Sequence, residues 1–286
     1  MKTPNIKIIK TFFIFIPLLF SSCITDPLDL DERDGTQYSA TEPFHYALNS
    51  TGYSQLKIQG INGSIQVLGI THTDSILIQG EKKVESYSPD DAKEHLQDIS
   101  IVLESIGNIQ LVQTIQPSQS DGRNYLVHYT VWVPDSISIE TLLVNGQTEV
   151  SDIKNRVRSN STNGEINLQS IRGEMFSGIT NGMVILNASE GNATISAVNG
   201  NIQAQLTLPD SGWCDLSTVN GSIGLSIPQT TSAIFRAGTV NGIVAVSNLT
   251  LTNSAFSQTL VTGILGAGRG SINLEAVNGN ISASGY

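Results

Sequence analysis

The chain has 286 residues, enough for one large domain or two small ones around a substantial core. Only 14% of residues are charged and 6% aromatic, against 26 glycines, which excludes coiled coils, helical repeats and disordered acidic chains. With 15 basic and 25 acidic residues the net charge is -10: there is no basic stripe for a nucleic acid, and two cysteines cannot build a disulfide framework. What remains is an all-β chain rich in turns.

Residues 1–22 read as an export signal. Lys2, Lys7 and Lys10 precede the apolar run Phe12 to Phe20, too short for a bilayer span, which takes ~20 apolar residues. Leu19-Phe20-Ser21-Ser22-Cys23 resembles the bacterial lipobox and departs from it at Phe20. The resemblance implies cleavage before Cys23 and acylation there, each buried methylene contributing ~0.8 kcal/mol to the anchor. An ordinary signal peptide ahead of a free cysteine is the plainer alternative. Loss of the three lysines takes the charge from -10 to -13, so an anionic membrane would be held through lipid, not electrostatics. Ile24 stands where enterobacterial sorting uses Asp for inner-membrane retention. The expected location is therefore the bacterial cell envelope, at the outer membrane, on its periplasmic or cell-surface face. Residues 23–43, with Asp26, Asp29, Asp31, Glu32 and Asp34, read as a flexible acidic tether.

Residues 44–143 form a β-rich part. Strand-like runs cover 55–61, 64–70, 75–80, 99–105, 108–116, 125–134 and 137–144. One helix is expected near 89–98, with Ser88 as its cap, Pro89 at the first helical position, and Asp90 and Asp91 in the first turn.

From residue 144 onward the chain repeats. Asn-Gly recurs at Asn145, Asn163, Asn181, Asn199, Asn220, Asn241 and Asn278, with Thr262-Gly263 filling the one gap and an earlier copy at Asn62-Gly63. Each pair is preceded by Val or Thr and followed by apolar residues at alternate positions, the mark of a strand with one buried face. Asn-Gly alone would suggest hairpins, but a coil of parallel strands explains one corner repeated at near-constant spacing. Residues 144–286 are accordingly expected to form a single-stranded parallel β-solenoid, its asparagines stacked amide to amide and its glycines supplying positive φ. On this reading the run from Ala276 to Tyr286 is an uncapped last rung, an edge open to a partner strand or a second copy.

The run DSILIQGEKK (Asp74–Lys83), the helix, the run RNYLVHYTVWVP (Arg123–Pro134) and the Asn-Gly rungs resemble the bacterial putative-adhesin β-solenoid family, over about residues 50–286. The resemblance implies a β-solenoid and an adhesin-like role, and carries no agreed catalytic residues and no established ligand; no cofactor is expected.

Catalytic chemistry is hard to find. Residues 160–286 hold no His or Lys, whereas carbohydrate-active β-helices gather several Asp, Lys or Arg on adjacent rungs. Asp210 and Asp215 could approach each other, but the Pro-Asp-Ser-Gly turn explains Asp210 more simply. His45, His72, His95 and His128 are scattered, and neither their spacing nor the cysteines make a metal site. Cys214 is expected to be a buried, inert thiol. The expected function is a lipid-anchored, non-catalytic scaffold or binding module. Its expected partners are the membrane and a cell-envelope protein or polysaccharide. A carbohydrate-active β-helix enzyme or polysaccharide-binding protein is the alternative. An enzyme should gather charges on one face, and a binding module should show mostly Ser, Thr, Asn and Gln.

Overall fold

The computed structural model describes residues 38–286; the signal segment, Cys23 and the tether up to residue 37 lie outside the described residues. The first half contains β1 (Tyr38–Asn49), β2 (Gln55–Ile70), β3 (Ser75–Ser86), α1 (Pro89–Glu94) with a 3₁₀ turn (His95–Asp98), β4 (Ser100–Ile106), β5 (Ile109–Ile115), β6 (Asn124–Pro134) and β7 (Ser138–Ser151). The second half contains β8 (Val157–Gln169), β9 (Arg172–Thr207), β10 (Trp213–Asn220), β11 (Ile223–Ile227), β12 (Ala233–Asn241) and β13 (Val244–Ser247). It closes with β14 (Leu251–Phe256), β15 (Leu260–Leu265), β16 (Gly270–Asn278) and β17 (Ile281–Gly285). The expected tether ends early, because β1 already begins at Tyr38.

The described residues are all-β apart from α1 and its 3₁₀ turn, but the expected purely parallel solenoid is corrected to a mixed sheet. Parallel pairing runs through the middle, where β2, β7, β8 and β9 set Asn62, Asn145, Asn163 and Asn181 in one register. Further along, β9 pairs with β10 up to Asn199, which lies beside Asn220, and with β11 after it. Antiparallel strands close both ends. At the first end β3 pairs with β6 and β1 with β3, while β4 pairs with β5; at the far end β15 pairs with β12 and β14 with β15. The sheet bends at each Asn-Gly, so alternate residues before and after the corner point into one shared core. In β7 these are Ile139 and Leu143 on one side of the bend and Val150 on the other.

The order of the layers differs from the order of the sequence. After Asn220 comes Asn278, and only then Asn241: β16 lies between β10 and β12, and β17 between β11 and β13. The connection is the glycine-rich segment Gly266–Arg269, which crosses over the start of β12. Leu265 and Gly270 both face Ala233, from opposite sides. The Ser232 hydroxyl receives the amides of Ala267 and Arg269, each at 3.2 Å. Gly266 and Gly268 take positive φ of 53° and 68° to make the crossing. Thr262-Gly263 therefore makes no corner and lies within antiparallel β15. The expected open C-terminal edge is corrected too, since the last segment is paired on both sides and Ile281 is fully buried.

The corner asparagines form a continuous chain in spatial order. The side-chain amide of Asn241 donates to Asn278 (2.8 Å), Asn278 to Asn220 (2.8 Å), Asn220 to Asn199 (2.8 Å) and Asn199 to Asn181 (2.9 Å). The series continues through Asn163 (2.8 Å), Asn145 (2.6 Å) and Asn62 (2.7 Å), and Asn62 donates to the Tyr125 carbonyl at 3.1 Å.

At the first end, α1 and its turn pack against β1 and β3. Ser88 caps the helix by accepting the Asp91 amide at 3.1 Å. Asp91 is itself the hub: Arg123 donates to both its carboxylate oxygens (2.6 and 2.7 Å), Tyr87 donates at 2.8 Å, and Ser86 donates as well. Arg123's hydrogen bonds outweigh the cost of burial and hold this carboxyl well below the usual range.

Two outcomes are expected. Asn199→Ala removes two bonds of the amide chain and should cost about 1–3 kcal/mol in denaturant melts, while Asn241→Ala removes one and should cost about half as much. Equal costs would count against a connected chain. Because the folded Asp91 is depressed, its stabilisation is complete above the unfolded value near ~3.9 and is lost as pH falls below it. Asp91→Asn should therefore flatten the acid limb of the stability–pH curve; an unchanged limb would assign acid lability elsewhere.

Candidate functional site

Stacking turns each outward position into a row. Immediately before the corner asparagines the row reads Val198, Val219, Val277 and Val240 in spatial order, all exposed; Val240 is 67% accessible. The buried threonines behind them fix the backbone: Thr218 donates to the Gly200 carbonyl (2.9 Å) and Thr239 to that of Gly279 (2.8 Å). Leu260 of β15 stands beside Gly238, whose missing side chain leaves room above β12. Of these residues Thr218, Val219, Gly238, Thr239, Val240, Leu260 and Val277 line a groove of about 510 Å³ near the far end of the stack.

The other wall is polar. Arg236 of β12 bridges Glu275 of β16 at 2.8 Å and reaches Asn273 at 3.3 Å. Asp215 of β10 sits beside Asn273 in the same register. Burial first, and the charge of Glu275 second, raise its carboxyl above the ordinary range. The groove thus combines an apolar row with one solvated ion pair, and the upward-shifted carboxyl of Asp215 lies outside its lining.

The same face carries ion pairs along its length, each between neighbouring layers. Lys57 meets Glu140 at 2.8 Å, and Arg156 meets Glu174 at 2.6 Å. Arg158 lies over the Phe176 ring at 4.9 Å. The opposite face differs beyond Asn201: Gln203, Gln205, Ser226, Ser282 and Ser284 line a shallow groove of about 380 Å³ with no charged side chain. Beyond Asn201, charge therefore gathers on one face and amide and hydroxyl groups on the other, so the composition test gives a separate answer for each face there.

Of the residues singled out from sequence, Asn145, Asn163, Asn181, Asn199, Asn220, Asn241 and Asn278 are brought together in the amide chain. Asp210 and Asp215 are not paired; Asp210 instead binds Arg269 at 2.7 Å. Cys214 is buried, and its thiol is pushed up to about 12 by burial. The groove's ion pair escaped the sequence reading because Arg236 and Glu275 meet only through the displaced order of the last layers. The valine row did carry a signal, a large apolar residue recurring at an outward-facing position. No cluster able to hold a metal is found among the described residues, and none of their helices is long and apolar enough to cross a membrane.

Solved structures similar to this chain include a "putative cell adhesion protein" from Clostridium sporogenes, 13% identical with a TM-score of 0.37, covering 86% of this chain and 100% of its own. A "putative adhesin" from Bacteroides fragilis is 11% identical with a TM-score of 0.35, covering 86% and 97%. A "putative lipid binding protein" from Parabacteroides distasonis is 12% identical with a TM-score of 0.31, covering 85% and 95%. No curated protein matches the chain. The profile of one domain family, Toastrack DUF4097, matches residues 44–284, nearly all of the described structure, and the chain belongs to that family.

Proposed function

We propose that the chain is a non-catalytic binding or scaffold module of a bacterial cell envelope, carried at the outer membrane by lipid on Cys23. Its stacked layers present rows of outward side chains that contact a partner of the envelope, protein or polysaccharide. The observation that supports this best is the far groove, where a valine row runs parallel to the Arg236–Glu275 pair across successive layers. Such a surface suits an extended polymer with apolar and polar edges. It offers no nucleophile held by a base, and Glu275 is tied to Arg236 rather than free to transfer protons. One observation favours the second reading, a carbohydrate-active enzyme: the raised carboxyl of Asp215 beside Glu275 is a pairing that glycoside hydrolysis can use.

Isolated envelope polysaccharide passed over the immobilised chain separates the two. A binding module retains the polymer and releases no new reducing ends. Val219→Asp with Val277→Asp, which charges the groove without touching the core, should abolish retention. Reducing ends that disappear with Asp215→Asn would establish the enzyme instead, and retention unchanged by the double substitution would move binding off this groove. Cys23→Ala should shift the expressed chain from the membrane to the aqueous phase, since acyl chains supply the anchoring. A chain that stays in the membrane would sink the lipid anchor.

A further inference from the structure

A stack of strands ends in edges, and unpaired edges accept other strands unless something blunts them. Among the described residues the sheet has four outermost strands: β1 and β4 at the first end, β13 and β14 at the far end. Three are blunted. β1 carries Pro43 at its middle and is packed by α1. β13 has four residues, and its Val244 amide already donates to the Gln258 carbonyl at 2.9 Å. β14 is broken by a register shift between Thr252 and Ala255, with Asn253 in the left-handed region at φ 47°.

β4 has none of these devices. It runs Ser100-Ile101-Val102-Leu103-Glu104-Ser105-Ile106 and pairs with β5 in unbroken register from Ser100–Ile115 to Ile106–Ile109. No described strand pairs with its other edge. The run lacks Pro and Gly, is rich in β-branched residues and holds one charge, the composition that favours strand addition. Both its faces carry apolar residues. Ile101 and Leu103 pack against the core, while Val102 and Ile106 are exposed outward.

We propose that this edge pairs with the same edge of a second copy, β4 antiparallel to β4 about a two-fold axis at Leu103. The occupant follows from self-complementarity, because a two-fold contact must match one sequence to its own reverse. Centred on Leu103, Ile101 meets Ser105 of the second copy and Ser100 meets Ile106. Glu104, the strand's only charge, meets Val102, so no like charges oppose each other. The first-end sheets of the two copies become continuous. This inference stands apart from the groove and from the lipid anchor.

Sedimentation of the full chain in detergent, over a range of concentrations, tests it. The unmodified chain should pass from monomer to dimer. Val102→Glu, at an outward position, places one carboxylate opposite Glu104 of the other copy, a contact made twice by symmetry, and should weaken dimerisation by roughly tenfold. Adding Glu104→Lys to the same chain restores opposite charges and should recover the dimer, an outcome a folding defect would not give. Ala245→Glu, on blunted β13, should leave the dimer unchanged. A chain monomeric at its highest soluble concentration overturns the proposal. So does a dimer that ignores Val102→Glu, a failed recovery in the double variant, or an edge that binds only strands of other proteins.

Discussion

Everything in this structure hangs on the repeated corner backbone. Gly146, Gly164 and Gly182 have φ of 132°, 134° and 138°, values that side chains rarely allow. The second constraint is contact: a β-carbon on Gly164 would overlap the carbonyl oxygen of Gly146, and one on Gly182 that of Gly164. Glycine is therefore required both for its torsion and because the next layer sits directly on it. With the glycines superposed, the asparagines before them fall into hydrogen-bonding register. Their amides all point the same way, toward the Tyr125 carbonyl, so each bond polarises the next.

That corner is local and repeated, which is why it was legible in sequence. Asn-Gly with alternating apolar residues marks a strand, a bend and another strand without knowledge of any distant contact. The cap of α1 was legible for the same reason, Ser88, Pro89 and Asp91 being neighbours. The layer order was not. Whether Asn278 follows Asn241 or precedes it depends on how Gly266–Arg269 crosses Ser232, a contact between segments 35 residues or more apart. Asn280, two residues past the corner asparagine, shows the same limit: its side-chain oxygen accepts the Ile243 amide at 3.0 Å in the adjoining layer. Asp91 and Arg123 lie 32 residues apart and nothing near either marks the other. β1 was hidden although Phe44, Tyr46 and Leu48 alternate and pack against the core, because Pro43 interrupts the run and most of its first half is exposed.

The two faces show what the stack does with charge. Successive layers are about 4.8 Å apart, so outward side chains of adjacent layers meet directly. On the charged face this puts Lys57 on Glu140, Arg156 on Glu174 and Arg236 on Glu275, half-exposed or exposed pairs worth little individually. Their effect is on the surface: each acid is offset locally despite the overall negative charge. Asp215 is the exception on this face, since burial first and the charge of Glu275 second raise its carboxyl. The neutral face beyond Asn201 replaces charge with amides and hydroxyls, so its contacts would be insensitive to salt where those of the opposite face are not.

Insertion of the last layer also constrains how the chain can fold. A simple coil can grow one layer at a time, each added segment pairing with the one before it. Here β11 and β13 are both waiting for β17, and β12 reaches β10 only through β16. The layer of Asn241 cannot join the stack until Gly270–Tyr286 is available to lie beneath it. Closing that arrangement brings together residues such as Ser217 and Glu275, which are far apart in sequence, and non-local pairings of this kind slow folding. In return the chain end, ordinarily the first place to fray, is held by neighbours on both sides, with the Tyr286 amide bonded to the Ile227 carbonyl at 3.0 Å. The exposed end of the stack is then formed by an internal segment, the β14–β15 hairpin, whose irregular edge resists strand addition in a way the regular C-terminal segment could not.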